Sequence, residues 1–493
     1  MSQGIVYEEP LLGLTLPEHG LGRRAVHVPS PAYLCCASQG SGKLLTSLCH
    51  HLIGWPSDQV VISPKEDLCN FALGRRSDPS MFQQLDLVRK YGRRLGVDPS
   101  GITAVTRHLT HGRVMNVDCG CQTAFPRSRY TFLSDVKVRE PQAMARLSAI
   151  ASGLFQRSAG EKDPYWTLAA RGAYMGTCGH ILSTEPDPAN HNLVFATQRL
   201  MGIDPATGKS HPKLRQRLFQ EMTLNPHLGG YIAGQGAELL SLEERTLGNL
   251  MSTVGNGTRW MLGDPRMRSM LTGQSDFSLD EVGRGKTPLT IFVTPIRGDE
   301  SSEAFLRVFL QLALFVWQER DWTPERPIAL VADEVPNWGT DQVQTLAKSL
   351  NILRDKRVVS FIYAQTLAQF VTILGVSGLQ EMLSATTLQA FGVRDATTLE
   401  ILRDRLGQTT VKSARGMGTV WVADTDAIYD ELAPSSPLTY VFPYQSGRAM
   451  RLARAAFVDT HTREGLHAPA IDYRGHFDAG LPAYSARGPR VSP

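Results

Sequence analysis

Cysteine is scarce, with seven in 493 residues, and none belongs to a CxxC pair or to a cysteine–histidine set with zinc spacing. Cys35 and Cys36 are adjacent, and Cys119 lies two residues before Cys121. Neither spacing is that of a redox or metal motif, so they are read as ordinary small thiols of a reduced, intracellular chain. Long hydrophobic runs are missing too. The most apolar long stretch, Phe305 to Trp317, is interrupted by Arg307 and Gln311 and falls short of the ~20 residues that span a bilayer, so no transmembrane helix is expected. Met1 to Pro10 has neither the basic start nor the apolar core of a signal peptide, and secretory export is not expected. Charge of one sign is not in excess: the formal net charge is +4, which forces no nucleic-acid partner through overall field strength and leaves any basic surface local. No internal repeat of solenoid or propeller length occurs.

What is present is enough apolar material, 42% of residues, for a large core and two to four domains on a prior of ~150 residues each. A β-rich run from Ala25 to Ala37 leads into SQGSGK and then an apolar helical pattern, Leu44 to Ile53. A short strand, Gln59 to Ser63, follows at a distance suited to a βαβ crossover. Between about Ala170 and Ser275 helical stretches alternate with turns rich in Pro, Gly and Asn. Strand-like runs return at Pro288–Val293, Ile328–Ala332, Val358–Tyr363 and Thr387–Phe391, each with a helical pattern nearby. Past Asp459 no period is visible, and a loosely ordered tail is expected. The resulting division is 1–171 and 276–459 for an α/β unit, 172–275 for an all-α insertion and 460–493 for the tail.

The chemistry concentrates at three places. Ala37 is followed by Ser38, Gln39, Gly40, Ser41, Gly42, Lys43 and Leu44, a phosphate-loop pattern with Ala for its first glycine and Leu44 where a Ser or Thr usually stands. Small residues let successive backbone N–H groups wrap a phosphate while the following helix offers its positive end; Lys43 is placed to bridge phosphate oxygens. Ile328–Ala332 is an apolar strand that ends in Asp333 and Glu334. Two acids closing a buried strand are costly unless paired or bound to a metal, and they suit magnesium binding by Asp333 and water activation by Glu334. One strand later, Gln365 follows Ala364, where it can sense a terminal phosphate.

These blocks resemble the TraG/TraD-type coupling proteins of type IV secretion and conjugation, within the FtsK/HerA-like ring motors. AVHVPSPAYLCCASQGSGKLL is similar to that family's strand and phosphate loop, which often lacks the Ser or Thr that Leu44 replaces. WPSDQVVISPKEDL is similar to its strand ending in Asp-Pro-Lys-Gly-Glu, with Ser63 at the Asp position. RYTFLSDV, DPYWTLAARG, ALVADEVPNWG, FIYAQTLAQF and FGVRDATTLEILRDRLGQTTV resemble further family segments, in family order, over about residues 20 to 415.

The resemblance implies a RecA-like P-loop nucleotide-binding domain of α/β class with an inserted all-α domain between roughly Gly172 and Ser275, using ATP and Mg2+ at the subunit interfaces of a homohexamer. It supports Gly42 and Lys43 on phosphate, Asp333 and Glu334 on magnesium and water, and Gln365 as sensor, with Lys65 as an additional site residue. An arginine from the neighbouring subunit is implied, for which Arg354, Arg357 and Arg394 are the candidates. Asp163, Pro164, Tyr165 and Trp166 are read as structural, Trp166 filling core. The implied activity is ATP-driven recruitment of DNA with its relaxase, or of secreted protein substrates, and delivery to a type IV secretion channel. Basic residues on the insertion, Lys213, Arg215 and Arg217, are candidates for phosphate contact. The family's membrane-anchoring helices have no counterpart before the phosphate loop, so the expectation is a cytoplasmic protein, peripheral at the inner face of the membrane, docking on channel components or on a separate anchor. Leu44 and the altered SPKED segment keep two alternatives open: a nucleotide-responsive substrate receptor without processive pumping, and a related ring ATPase of DNA packaging or defence.

Overall fold

The computed structural model describes residues 11–14, 25–27, 30–48, 51–69 apart from 53, 54, 56 and 67, 112–156 apart from 124 and 125, 164–444 apart from 414 and 415, and 449–454. The expected tail 460–493 and Asp163 lie outside them.

Short, continuously apolar runs bounded by turns become the strands of a sheet covered on both faces, as parallel strands require. In chain order these are β1 (Leu11–Leu14), β2 (Ala25–His27), β3 (Ala32–Ala37), β4 (Gln59–Ile62), β5 (Arg113–Asp118), β6 (Leu289–Thr294), β7 (Ile328–Ala332), β8 (Val358–Ala364), β9 (Thr387–Phe391), β10 (Gln408–Ser413), β11 (Gly416–Trp421), β12 (Leu438–Phe442) and β13 (Met450–Ala453). Eleven of them form one sheet in the order β2-β1-β13-β12-β9-β3-β8-β7-β4-β6-β5, and β10 pairs with β11 separately. From β9 to β5 every pairing is parallel; β12, β13, β1 and β2 extend the sheet antiparallel. The run Ala25 to Ala37, read from sequence as one β-rich stretch, is two strands at different places in this sheet. Pro29 and Pro31 fall between them, and proline withholds the N–H that a continuous strand would need.

One face of the sheet carries Tyr33, His51, Trp55 and Phe361, with Tyr33 stacked on Phe361 at 5.1 Å between ring centroids. The other carries the main core and the helix Glu300–Gln318, which buries Phe305, Phe309 and Trp317. That helix packs on Ala143–Leu154, where Gly153 permits close contact: a β-carbon there would sit 2.8 Å from the Val308 Cα.

Between β5 and β6 the chain forms a succession of helices ending with Tyr165–Thr184, Leu193–Met201, Pro212–Thr223, Tyr231–Ser241, Glu244–Gly263 and Pro265–Leu271. The boundary anticipated at residue 172 falls inside the unbroken helix Tyr165–Thr184, because Ala170, Ala173 and Tyr174 are one continuous buried face. Trp166 is half-buried against the core, and Tyr165 stands edge-on to it.

The junction between helices and sheet is held by a buried polar network. Asp135 accepts from the Ser278 and Tyr130 hydroxyls and from the Leu279 N–H, while Arg146 spans Asp280, Glu319 and the Asp135 carbonyl. Burial pushes the Asp135 carboxyl up to about 6 from 3.8, against the pull of its hydrogen bonds. A carboxyl whose folded value lies above its unfolded one stabilises the fold fully below the unfolded value and loses that contribution as pH rises through the folded one. The unfolding midpoint of the protein should therefore lose ground to that of Asp135→Asn between about pH 4 and pH 6.5, by the equivalent of about 3 kcal/mol. Midpoints measured across that range test it, and parallel curves for the two proteins would contradict it.

Candidate nucleotide site

The carboxyl ends of β3, β8, β7 and β4 lie side by side, so the residues that follow each strand meet at one edge of the sheet. Register fixes the neighbours: Cys36 pairs with Ala364 on one side and Ala390 on the other, and Ile62 pairs with Ala332. Ser38–Lys43 thus leaves the sheet beside Gln365, and Asp333–Glu334 leaves it beside Ser63.

The phosphate loop turns through Gly40 and Gly42, at φ 77° and 84°, a left-handed conformation that glycine enters without a β-carbon clash. Space beyond Gly40 is open, with nothing within 4 Å of where a β-carbon would stand. Such a turn aims successive N–H groups to one side and makes an anion-binding hollow. The Ser41 hydroxyl donates to the Ser38 carbonyl at 2.6 Å, and the Ser38 hydroxyl donates to the Gly392 carbonyl. Lys43 is buried, its ammonium 3.4 Å from the Ala364 carbonyl. Burial lowers its pKa and the nearby Asp333 raises it, the balance expected of an ammonium that needs anionic company. Leu44 opens a turn of π-helix, Leu44–Leu48, and packs against the cluster around Tyr33 and Phe361; it takes the apolar side of the turn and adds no oxygen to the site.

Asp333 is fully buried. Its Oδ2 accepts from the Ser63 hydroxyl at 2.9 Å and from the Lys65 ammonium at 2.8 Å, whereas Oδ1 is buried with no hydrogen-bond partner. A buried carboxylate oxygen without a donor is expensive, and a divalent cation, or water bound to one, would relieve it. Among the described residues no group of three or more His, Cys, Asp or Glu could hold a metal ion; Mg2+ is usually held by one or two carboxylates, phosphate oxygens and water. Glu334 is nearly buried and adopts φ 54°, ψ 41°, a left-handed backbone that costs a non-glycine residue about 1–2 kcal/mol. Its Oε1 meets Lys65 at 3.1 Å, and its Oε2 meets the Arg297 guanidinium and the Asn337 amide. Trp338 Nε1 donates to the Asp333 carbonyl at 3.1 Å and pins the turn from beneath.

The sequence-predicted residues Ser38, Gln39, Gly40, Ser41, Gly42, Lys43, Asp333, Glu334 and Gln365 are therefore gathered at one edge, joined by Lys65. Arg354 and Arg357 are not. They precede β8, whose seven residues separate them from Gln365 by roughly 23 Å at the usual strand rise. Arg357 donates to the Pro324 and Glu325 carbonyls, and Arg354, exposed at a helix end, to Asp355 and the Tyr444 hydroxyl. Arg394 is exposed two residues after Gly392.

Residues 102–419 match the profile of the family described as type IV secretory system conjugative DNA transfer. The chain belongs to that family. This is the family anticipated from the ordered blocks of the sequence, and the fold agrees. The chain is similar to the unbound monoclinic form of the bacterial conjugative coupling protein TrwBdeltaN70, at 14% identity and a TM-score of 0.57, over 91% of this chain and 94% of that one. It is similar to the plasmid coupling protein TrwB in complex with the ATP analogue ADPNP, at 14% identity and 0.55, over 86% and 85%. It is also similar to TrwB in complex with ADP and Mg2+, at 14% identity and 0.55, over 91% and 94%. No curated protein sequence matches the chain. Among the described residues no helix is long and apolar enough to cross a membrane.

Three contributors escaped the sequence reading. Arg297 follows β6, and nothing in PIRGDE announces that its turn faces Glu334. Gly392, at φ 59°, stands against the phosphate loop: a β-carbon there would lie 2.2 Å from the Ser41 Cβ. Arg454, at the end of β13, donates to the Ser41 carbonyl at 2.7 Å and lies over the Phe391 ring. Glycine directly after a strand was the available signal for Gly392. Gly392→Ala should displace the loop and lower affinity for a fluorescent ATP analogue by at least about tenfold, the equivalent of 1.4 kcal/mol, while the folded helical content persists. Unchanged affinity would contradict the seating of the loop on Gly392.

Proposed function

We propose that this member of the conjugative DNA-transfer family binds ATP with Mg2+ at the edge formed by Ser38–Lys43, Asp333, Glu334 and Gln365, and hydrolyses it as a coupling protein that hands DNA to a type IV secretion channel. The observation that carries the reading is the unsatisfied Oδ1 of a fully buried Asp333 within electrostatic reach of the phosphate-loop Lys43. The complexes of TrwB with ADPNP and with ADP and Mg2+ support it through the shared fold.

In this reading the loop N–H groups and Lys43 hold the phosphates, and Lys43, already desolvated, acts on them more strongly than an exposed lysine would. Mg2+, when bound, neutralises charge on the phosphate oxygens. Asp333 would hold it, with Ser63 and Lys65 fixing the carboxylate's orientation. Gln365, at the end of the strand between β3 and β7, contacts the terminal phosphate side. Glu334 orients and deprotonates the attacking water. Leu44 offers no hydroxyl to a metal, so Asp333 would carry more of its positioning.

Among the described residues, Arg297 is paired with Glu334 and Arg454 with the Ser41 and Pro434 carbonyls, and a homohexameric ring supplies a further arginine in trans. Arg354, exposed and remote from its own site, is better placed for that than Arg357, whose guanidinium is engaged by two carbonyls. On the helical portion, Arg217 pairs with Glu221 at 2.8 Å and Arg215 is half-buried, so DNA contact through that helix falls first to the exposed Lys213. The division into an α/β unit and an all-α insertion assigns turnover to the first and substrate contact to the second. Attachment at the inner membrane face through channel components or a separate anchor belongs to the same reading.

Steady-state hydrolysis and nucleotide binding separate motor from receptor. Lys43→Ala should lose ATP affinity, and Glu334→Gln should keep it while turnover falls by about a hundredfold or more. Binding without any turnover dependent on Lys43 and Glu334, with or without DNA, would instead identify a nucleotide-responsive receptor.

A further inference from the structure

Both carboxylate oxygens of Glu334 are engaged by side chains of this chain. Its Oε2 receives both the Arg297 guanidinium and the Asn337 amide, at 3.3 Å for the latter, and its Oε1 receives Lys65. A carboxylate oxygen offers about two lone-pair sites, so Oε2 is filled while Arg297 remains and Oε1 keeps one site beside Lys65. Arg297 is 54% exposed along its side chain and can leave without unburying anything. It sits on the turn between β6 and the helix Glu300–Gln318. That turn is tight: the Asp299 N–H reaches the Ile296 carbonyl at 3.4 Å, Gly298 is at φ 68°, and the Asp299 carboxylate caps the helix through the Ser302 N–H and hydroxyl at 2.9 and 2.8 Å. Arg297 and Asp299 therefore move together.

Asp299 has a second partner. Arg266, on the last helix of the helical portion, reaches Asp299 at 3.1 Å while held by Asp264 at 2.6 Å. One five-residue turn, 295–299, thus grips the acid at the nucleotide edge with one side chain and the end of the helical portion with another.

We propose that Arg297 is a positioning residue that holds Glu334 at rest, and that the turn 295–299 couples this hold to the helical portion through Asp299 and Arg266. This rests on the reading of Glu334 as the residue that activates water. Substrate engaging the helices shifts Arg266, the turn follows, Arg297 withdraws from Oε2, and Glu334 becomes available. The element that contacts substrate thereby governs the rate of hydrolysis with no contact of its own to the nucleotide.

The test uses the full chain, with mixed-sequence single-stranded DNA as the probe. Arg297→Ala should raise the turnover number without DNA by roughly fivefold with KM for ATP unchanged, after which DNA adds little. Arg297→Lys, which restores a cation, should bring the resting rate back toward the parent. Arg266→Ala, remote from the nucleotide, should move the resting rate the same way by roughly twofold and speed amide exchange across 334–339. Resting rates unchanged in both alanine variants overturn the proposal, as does an Arg297→Ala that slows turnover equally with and without DNA. The exchange readout keeps two failures apart. If the parent binds ATP and hydrolyses none, the assignment of Glu334 as a hydrolytic residue falls; if exchange across 334–339 is unaltered in Arg266→Ala, the coupling falls whatever the turnover.

Discussion

A carboxylate with no exposed surface, Asp333, closes the strand Ile328–Ala332 at the middle of a sheet covered on both faces. Taking such a group out of water costs several kcal/mol unless charge and hydrogen bonds replace what is lost. Half of the replacement is built in, since Ser63 and Lys65 occupy Oδ2. The other oxygen, Oδ1, is buried without a hydrogen-bond partner. This constraint explains why the strand that brings Ser63 lies directly beside the strand that ends in Asp333, with Ile62 paired to Ala332, and why Lys65 spans both acids at 2.8 and 3.1 Å. A slip of one residue in that pairing would turn Ser63 away from the acid.

The phosphate loop is supported by elements far along the chain. Gly392 gives it a floor, and Arg454, at the end of β13, donates to the Ser41 carbonyl at 2.7 Å. Burial lowers the pKa of Arg454, yet it finds the Ser41 and Pro434 carbonyls and the face of Phe391, partners that suit a poorly hydrated guanidinium. On the opposite side the helical portion is tied in by Arg146 and Arg266, each bound to two acids. The candidate site is thus flanked by Arg454 from β13 and by the turn that carries Arg297 and Asp299.

Local chemistry made much of this legible in the sequence. Glycines at 40 and 42 before an apolar helix, and two acids after a five-residue apolar strand, have few other physical meanings, and Lys43, Asp333, Glu334 and Gln365 meet where strand order places them. Leu44 was legible as a departure, and its packing against the Tyr33 cluster shows what it gains. Contacts made by chance of topology were not legible. Arg297 and Arg454 are single arginines in unremarkable contexts, brought to the site by pairings across scores of residues, which no periodicity encodes. The interruption of the run Ala25–Ala37 was written in Pro29 and Pro31, but the distant placement of its halves depends on β13, whose four residues carry little pattern. The boundary anticipated at residue 172 falls within the helix Tyr165–Thr184, which Gly172 does not break; the Gln235 side chain packs where its β-carbon would be.

We propose above all that Asp333 holds Mg2+ together with the nucleotide. Affinity for a fluorescent ATP analogue, titrated with Mg2+ and again in excess chelator, tests it in the parent protein and in Asp333→Asn. The parent should gain about tenfold in affinity from Mg2+, while Asp333→Asn keeps the metal-independent affinity that Lys43 provides and loses the gain. An equal gain from Mg2+ in both proteins would contradict the account.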